Sequence, residues 1–143
     1  VKNNIHLVFS TKNRENMICV EDYEELRAYL IGVLSEFGCY LEELGGTENH
    51  IHLLFVLNKK RAISEVVGKI KANTSRWFHK RNGKEFSWQS GYGAFSVSQS
   101  KVEVVRKYIR NQIEHHRVKG FEEEFREFLK AYDIEWDEKY VWD

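Results

Sequence analysis

Cys39-Tyr40-Leu41-Glu42-Glu43-Leu44-Gly45-Gly46-Thr47-Glu48-Asn49-His50-Ile51-His52-Leu53-Leu54-Phe55-Val56-Leu57 reads as a hairpin, and the rest of the chain falls into place around it. Cys39 to Leu44 forms one strand, Gly45-Gly46 is expected to be the turn, and His50 to Leu57 the partner strand. Side chains of a strand alternate between faces, so His50 and His52 share one face while Ile51 and Leu53 share the other. Ile5 to Ser10 reads as an earlier strand, and Ala94 to Ser98 as a later one.

Between and after these strands the apolar period lengthens to that of a helix. Glu21 to Phe37 carries Tyr23, Leu26, Tyr29, Leu30, Val33, Leu34 and Phe37 at helical spacing and stops at Gly38. Ile63 to Lys80 carries the stripe Ile63, Val66, Val67, Ile70, Thr74, Trp77 and Phe78. A polar, glycine-rich loop spans Arg81 to Gly93; Lys101 to Arg117 is a third helix and Phe121 to Tyr132 a fourth. The order is β-α-β-β-α-β, an α+β chain of the ferredoxin-like, split βαβ class. That class is an antiparallel sheet with helices on one face, here followed by C-terminal helices. The 143 residues contain no proline and no repeat or linker, and are expected to make one domain, 1–143.

With 42% apolar and 31% charged residues the composition is that of a soluble globular chain. Its longest apolar run, Ile51 to Leu57, is interrupted by His52 and too short to span a bilayer, so no membrane role is expected. Val1 to Phe9 carries no secretory signal, and Cys19 and Cys39 sit in no motif. Free thiols in a reducing cytoplasm are the simplest expectation. The formal net charge of zero conceals an uneven distribution. Residues 1–58 carry 4 basic and 9 acidic side chains, 59–119 carry 15 and 4, and 120–143 carry 3 and 9. So positive a middle segment suits a polyanion.

Two neutral imidazoles a few ångströms apart make half of a divalent-metal site. A second constellation follows on the third helix, where Tyr108 and Gln112 stand four residues apart and stack on one face. Val102, Val105, Ile109 and Ile113 form a separate stripe that would dock this helix on the sheet. Arg106, Lys107 and Arg110 around it would face an anion. His6 lies on the first strand, expected next to the His50 strand, and could either line the cleft or be structural. His79, His115 and His116 are not expected to be ligands.

Four segments together resemble a known family. Glu48-Asn49-His50-Ile51-His52-Leu53-Leu54-Phe55 is similar to the His-hydrophobe-His motif, and Trp88 to Val97 (WQSGYGAFSV) to the family's loop-and-strand signature. Val105-Arg106-Lys107-Tyr108-Ile109-Arg110-Asn111-Gln112 is similar to its catalytic-tyrosine helix, and His6-Leu7-Val8-Phe9 with Thr11-Lys12 to its opening strand. In order and spacing these resemble the single-tyrosine HUH transposases of bacterial insertion sequences, including the REP-associated tyrosine transposases. Relatives usually carry Asp before the first His, where this chain has Asn49, a position outside the implied ligand set.

The resemblance implies a metal-dependent single-stranded DNA endonuclease and strand transferase. Tyr108 would be the nucleophile, and His50, His52 and Gln112 would hold Mg²⁺ or Mn²⁺. A phenol with a pKa of about 10 is a poor nucleophile at neutral pH, so a metal on the scissile phosphate is chemically reasonable. A 5′-phosphotyrosine and a free 3′-OH would result. The implied partners are single-stranded DNA with hairpin-bearing element ends and a second copy in a homodimer with composite active sites. Candidate DNA contacts are Lys59, Lys60, Arg61, Lys69, Lys71, Arg76, Lys80, Trp88, Arg106 and Arg110, with Trp77 a further stacking candidate. Two other readings stay open: a domesticated REP-associated nuclease of the same chemistry, and a non-catalytic single-stranded nucleic-acid-binding module. RNA-binding modules place aromatics on their central strands, where this chain has His50 and His52.

Overall fold

Asn4–Ser10 forms β1, and every residue of it but Ser10 is buried, because this strand lies inside the sheet with helices on both faces. The computed structural model describes residues 2–82 and 85–112, with Glu123, Arg126 and Lys130 beyond them. After β1 come α1 (Tyr23–Glu36), β2 (Tyr40–Gly46), β3 (His50–Val56), α2 (Ile63–Asn82), β4 (Gly93–Val97) and α3 (Val102–Arg110). The four strands make one antiparallel sheet in the order β2-β3-β1-β4. This is the expected α+β split βαβ arrangement.

The pleat sorts the sheet into two chemically different faces. Ile5, Leu7 and Phe9 of β1 join Ile51, Leu53 and Phe55 of β3 in the main core, closed by Leu26, Leu30, Val33 and Leu34 of α1 and Val66, Val67, Ile70 and Phe78 of α2. The alternate residues face the other way. There Leu54 and Val97 meet Val102, Val105 and Ile109 of α3, so the apolar stripe of that helix docks where its spacing predicts. The register sets Val8 opposite His52, Ser10 opposite His50 and His6 opposite Leu54, which gathers three histidines on the α3 face.

One expectation is corrected. Gly45-Gly46 is not the turn: β2 runs through both glycines, which pair with His52 and Ile51, and the reversal falls on Thr47 to Asn49. Both positions are packed too closely for a side chain. A Cβ on Gly45 would lie 2.3 Å from the Ile109 carbonyl oxygen, and one on Gly46 would lie 2.4 Å from the Tyr23 hydroxyl. One glycine therefore admits α3 against β2, and the other admits Tyr23 of α1. The buried Tyr23 hydroxyl shares its proton between the carbonyls of Thr47 (2.7 Å) and His50 (3.0 Å), pinning the reversal. Burial, helped by Glu48, pushes this phenol well above its ordinary value, so it stays protonated for that bond. The expected extension of the third helix to Arg117, with Ile113, His115 and His116, lies outside the described residues. So does most of the helix expected over 121–132.

Candidate active site

His50 and His52 are carried on β3, and Tyr108 and Gln112 approach from α3 and the turn that follows it. His6, His50, His52 and Gln112 are polar yet at most 1% exposed. Such burial of polar groups is tolerated only with hydrogen-bond partners. The Gln112 amide oxygen lies 3.1 Å from His50 Nε2, and its nitrogen donates to the Tyr108 carbonyl at 3.2 Å. The Tyr108 ring stands edge-on to His52 with centroids 5.5 Å apart, and 6.1 Å from His6. The two paired histidines are 5.2 Å apart, ring to ring. Residues more than fifty positions apart thus meet in one small volume.

The hydrogen bonds behind these groups restrict what can lie between them. Asn49 donates its amide hydrogen to the Arg14 carbonyl at 3.3 Å, so its Oδ1 faces His50 Nδ1 at 2.8 Å. Thr47 donates its hydroxyl to the same Oδ1 at 3.1 Å and lies 3.0 Å from His50 Nδ1. Both neighbours accept, so Nδ1 carries the proton and Nε2 is left with its lone pair. Gln112 then turns a second acceptor onto that lone pair. Two acceptors held 3.1 Å apart need a positive group between them, a proton or a cation. Two adjacent ligands of an octahedral ion bound at about 2.1 Å stand about 3.0 Å apart, so the spacing fits Mg²⁺ or Mn²⁺. Among the described residues no three of His, Cys, Asp or Glu converge on a metal position, and the amide of Gln112 completes the set. The residues present fit such an ion.

His6 completes the cluster. Its Nε2 is 2.8 Å from His52 Nδ1, and burial holds its imidazole down to about 3, so the ring is neutral. Sequence reasoning placed this residue beside the His50 strand but left its role open.

A clamp of ion pairs at the β2 edge holds α3 in place, and nothing in the sequence pattern pointed to it. The register slips by one residue between Leu41 and Glu43, a bulge that lets two consecutive acids serve the same helix. Arg106 bonds the Glu42 carbonyl at 2.6 Å and its carboxylate at 3.1 Å. Arg110 reaches Glu43 at 3.1 Å, and Arg27 of α1 grips the same carboxylate from the opposite side. Burial alone would raise the Glu43 carboxyl, but Arg27, the Leu44 amide and Arg110 outweigh it and hold the group below its ordinary value.

The family model of the IS200-like transposases matches residues 1–112, a span that ends on Gln112 and includes every side chain of this cluster. The chain belongs to that family. Two solved structures share the fold of this transposase. One is a candidate transposase from Deinococcus radiodurans, 23% identical, with a TM-score of 0.61 over 78% of this chain and 92% of that one. The other is a REP-associated tyrosine transposase bound to a REP hairpin, 18% identical, with a TM-score of 0.58 over 78% of this chain and 67% of that one. Among curated proteins no sequence matches. Membership makes the chain a DNA-binding protein of transposition, and among the described residues no helix is long and apolar enough to cross a membrane.

The basic residues of this transposase are distributed less simply than their clustering in sequence implies. Lys69, Arg76 and Lys80 are exposed on α2, which covers the face of the sheet opposite the histidines. Lys59 and Lys60 are exposed in the turn before α2, while Arg61 pairs with Glu65 at 3.1 Å. Lys71 donates to the carbonyls of Gln89 (2.7 Å) and Gly91 (3.0 Å), stapling the 87–91 loop to α2. Trp88 anchors the same loop: its indole N–H bonds Thr74 at 3.0 Å, and its ring packs edge-on to Phe9, Phe78 and Phe86. Trp77 stacks on Tyr29 beneath the Arg81 guanidinium. Arg106 and Arg110 belong to the clamp.

Proposed function

We propose that this transposase cuts and rejoins single-stranded DNA through Tyr108, with a divalent ion held by His50, His52 and Gln112. The observation that carries the reading is the meeting of Tyr108 with His52, and of Gln112 with His50, across the face of the sheet. When bound, Mg²⁺ or Mn²⁺ would neutralise the scissile phosphate and make its phosphorus more electrophilic. The Tyr108 oxygen forms the new bond to phosphorus in line with the departing 3′ oxygen. The phenol gives up its proton, the bond from phosphorus to the 3′ oxygen breaks, and that oxygen takes up a proton. A 5′-phosphotyrosine and a free 3′-OH result. Because the phosphodiester energy is kept in the adduct, a second 3′-OH reverses the step and joins strands. The fold-mate solved with a REP hairpin supports hairpin-bearing DNA ends as the substrate class.

Within one chain α3 already brings Tyr108 to the histidines, which favours cleavage in cis. A homodimer exchanging this helix is the other arrangement, and mixing Tyr108→Phe with His50→Ala separates the two. Recovered activity in the mixture means exchange. The founding test incubates the protein with single-stranded oligonucleotides tiling the DNA around its gene, with Mn²⁺ or with EDTA. A metal-dependent covalent adduct mapped to Tyr108 and lost in Tyr108→Phe is the expected result. Binding without any adduct would favour the non-catalytic reading, and an adduct persisting in Tyr108→Phe would give the nucleophile's role to another residue.

A further inference from the structure

Apart from the histidines and Asn4 at the start of β1, the layer beneath α3 is apolar, filled by Val8, Leu54, Val97, Val105 and Ile109. His6 sits in that layer fully buried, at the middle of β1, paired with Leu54 on one side and Phe95 on the other. A leucine would fill such a position without needing a polar partner, so the imidazole calls for a reason. Its ring is fenced by Phe95 at 6.3 Å and Tyr108 at 6.1 Å, both edge-on, and it points Nε2 at His52 Nδ1 from 2.8 Å.

Two imidazole nitrogens at that distance share one N–H. If His52 donates, its Nδ1 is protonated and its Nε2 keeps the lone pair. If His6 donates, a neutral His52 carries its own proton on Nε2 and has no lone pair there. His50, two residues away on the same face, has its Nδ1 turned toward Asn49 and Thr47 in the first manner. Both rings then carry the lone pair on Nε2. We propose that His6 is a positioning residue: it accepts the Nδ1–H of His52, fixing the tautomer and ring plane in which His52 can ligate a divalent cation. The inference rests on the proposed reading of His52 as a ligand and adds a residue outside the ligand set. Acceptors placed behind ligating histidines in this way typically sustain about 10–100-fold in metal affinity.

The test compares His6→Gln with His6→Asn. Both put an amide into the same buried slot, but only the longer one reaches the place of the imidazole Nε2. Mn²⁺ affinity is read from the electron paramagnetic resonance of the free ion, and the His52 tautomer from long-range ¹H–¹⁵N spectra. The expected result is a His52 protonated on Nδ1 in the wild type and in His6→Gln, with near-native Mn²⁺ binding. His6→Asn should mix the tautomers and weaken Mn²⁺ by about 10–100-fold. Equal behaviour of the two variants, or a wild-type His52 protonated on Nε2, overturns the proposal. If the wild type takes up no Mn²⁺, the ligand reading fails by itself, and the spectra still decide for or against His6. His6→Phe, followed by circular dichroism melting, adds the case of a filled slot without an acceptor. If that variant folds with an unchanged His52 tautomer, the proposal is overturned.

Discussion

Gly45→Ala is the sharpest perturbation available, because its effect can be worked out before it is made. The new methyl would stand 2.3 Å from the Ile109 carbonyl oxygen and 3.1 Å from that residue's Cγ2. Ordinary contact begins near 3.4 Å, so β2 and α3 must part by about 1.1 Å along that line. Neither side yields easily, since the obstacle is backbone and Arg106 and Arg110 tie the helix to the same strand. Overpacking of this kind costs about 1–3 kcal/mol, which at about 2–4 °C per kcal/mol lowers Tm by several degrees. The larger consequence is at the site. Ile109 lies between Tyr108 and Gln112, so a helix moved by that much takes Gln112 from 3.1 Å to beyond the roughly 3.6 Å at which a hydrogen bond to His50 is lost. Misplacement of about 1 Å at a reacting centre costs on the order of 10²-fold in rate. The assay is single-turnover adduct formation on the cleaved oligonucleotide, paired with a melting curve. Gly32→Ala is the control: that exposed glycine of α1 has nothing within 4 Å of an added Cβ. A Gly45→Ala protein that melts and reacts like the wild type would refute the docking of α3 on its own sheet.

Other outcomes follow from the same contacts. Gly32→Ala removes a helix-interior glycine without a clash and should raise stability by about 0.5–1 kcal/mol with adduct formation unchanged, read by denaturant titration. Glu43→Gln should destabilise the fold by roughly 1–3 kcal/mol at pH 7, because it weakens a carboxylate held by two arginines. The wild-type carboxyl is held below its ordinary 4.5, so its contribution is complete above that pH and fades as the pH falls further. The gap in stability between the two proteins should therefore close in acid, and a constant gap down to pH 3 would remove the carboxylate from the account. Arg76→Gln and Lys80→Gln should each weaken single-stranded DNA binding and reduce the logarithmic salt slope by about 0.7 where the side chain meets a phosphate. Adduct formation at saturating DNA should stay unchanged, since α2 lies across the sheet from the histidines; a loss there would place this surface in the chemistry.

The parts of this molecule legible from sequence are those governed by local periodicity. A two-residue period put His50 and His52 on one face, and a four-residue step stacked Tyr108 on Gln112, whatever the rest of the chain did. The apolar stripe Val102, Val105, Ile109 told which side of the helix meets the sheet. Gly45 was misread for a physical reason: a glycine pair beside a strand is equally the mark of a turn and of a close backbone approach. Only the position of Ile109, sixty-four residues later, distinguishes the two. Asn49 and Thr47 looked incidental for the same reason, since their hydrogen bonds to His50 depend on where the reversal falls.

Charge was the least transferable signal, and the sheet explains why. A segment rich in Lys and Arg lying next to the His pair in sequence invites a single polyanion surface, but β3 leads into α2 on one face and presents its histidines on the other. Two of the same segment's arginines, Arg106 and Arg110, are spent on Glu42 and Glu43, which come from the acidic first part of the chain. The charge imbalance along the sequence is therefore partly an internal contract between β2 and the tyrosine helix. What that contract secures is position. With Gly45 setting the distance and the two acids the grip, α3 carries Tyr108 to His52 and Gln112 to His50.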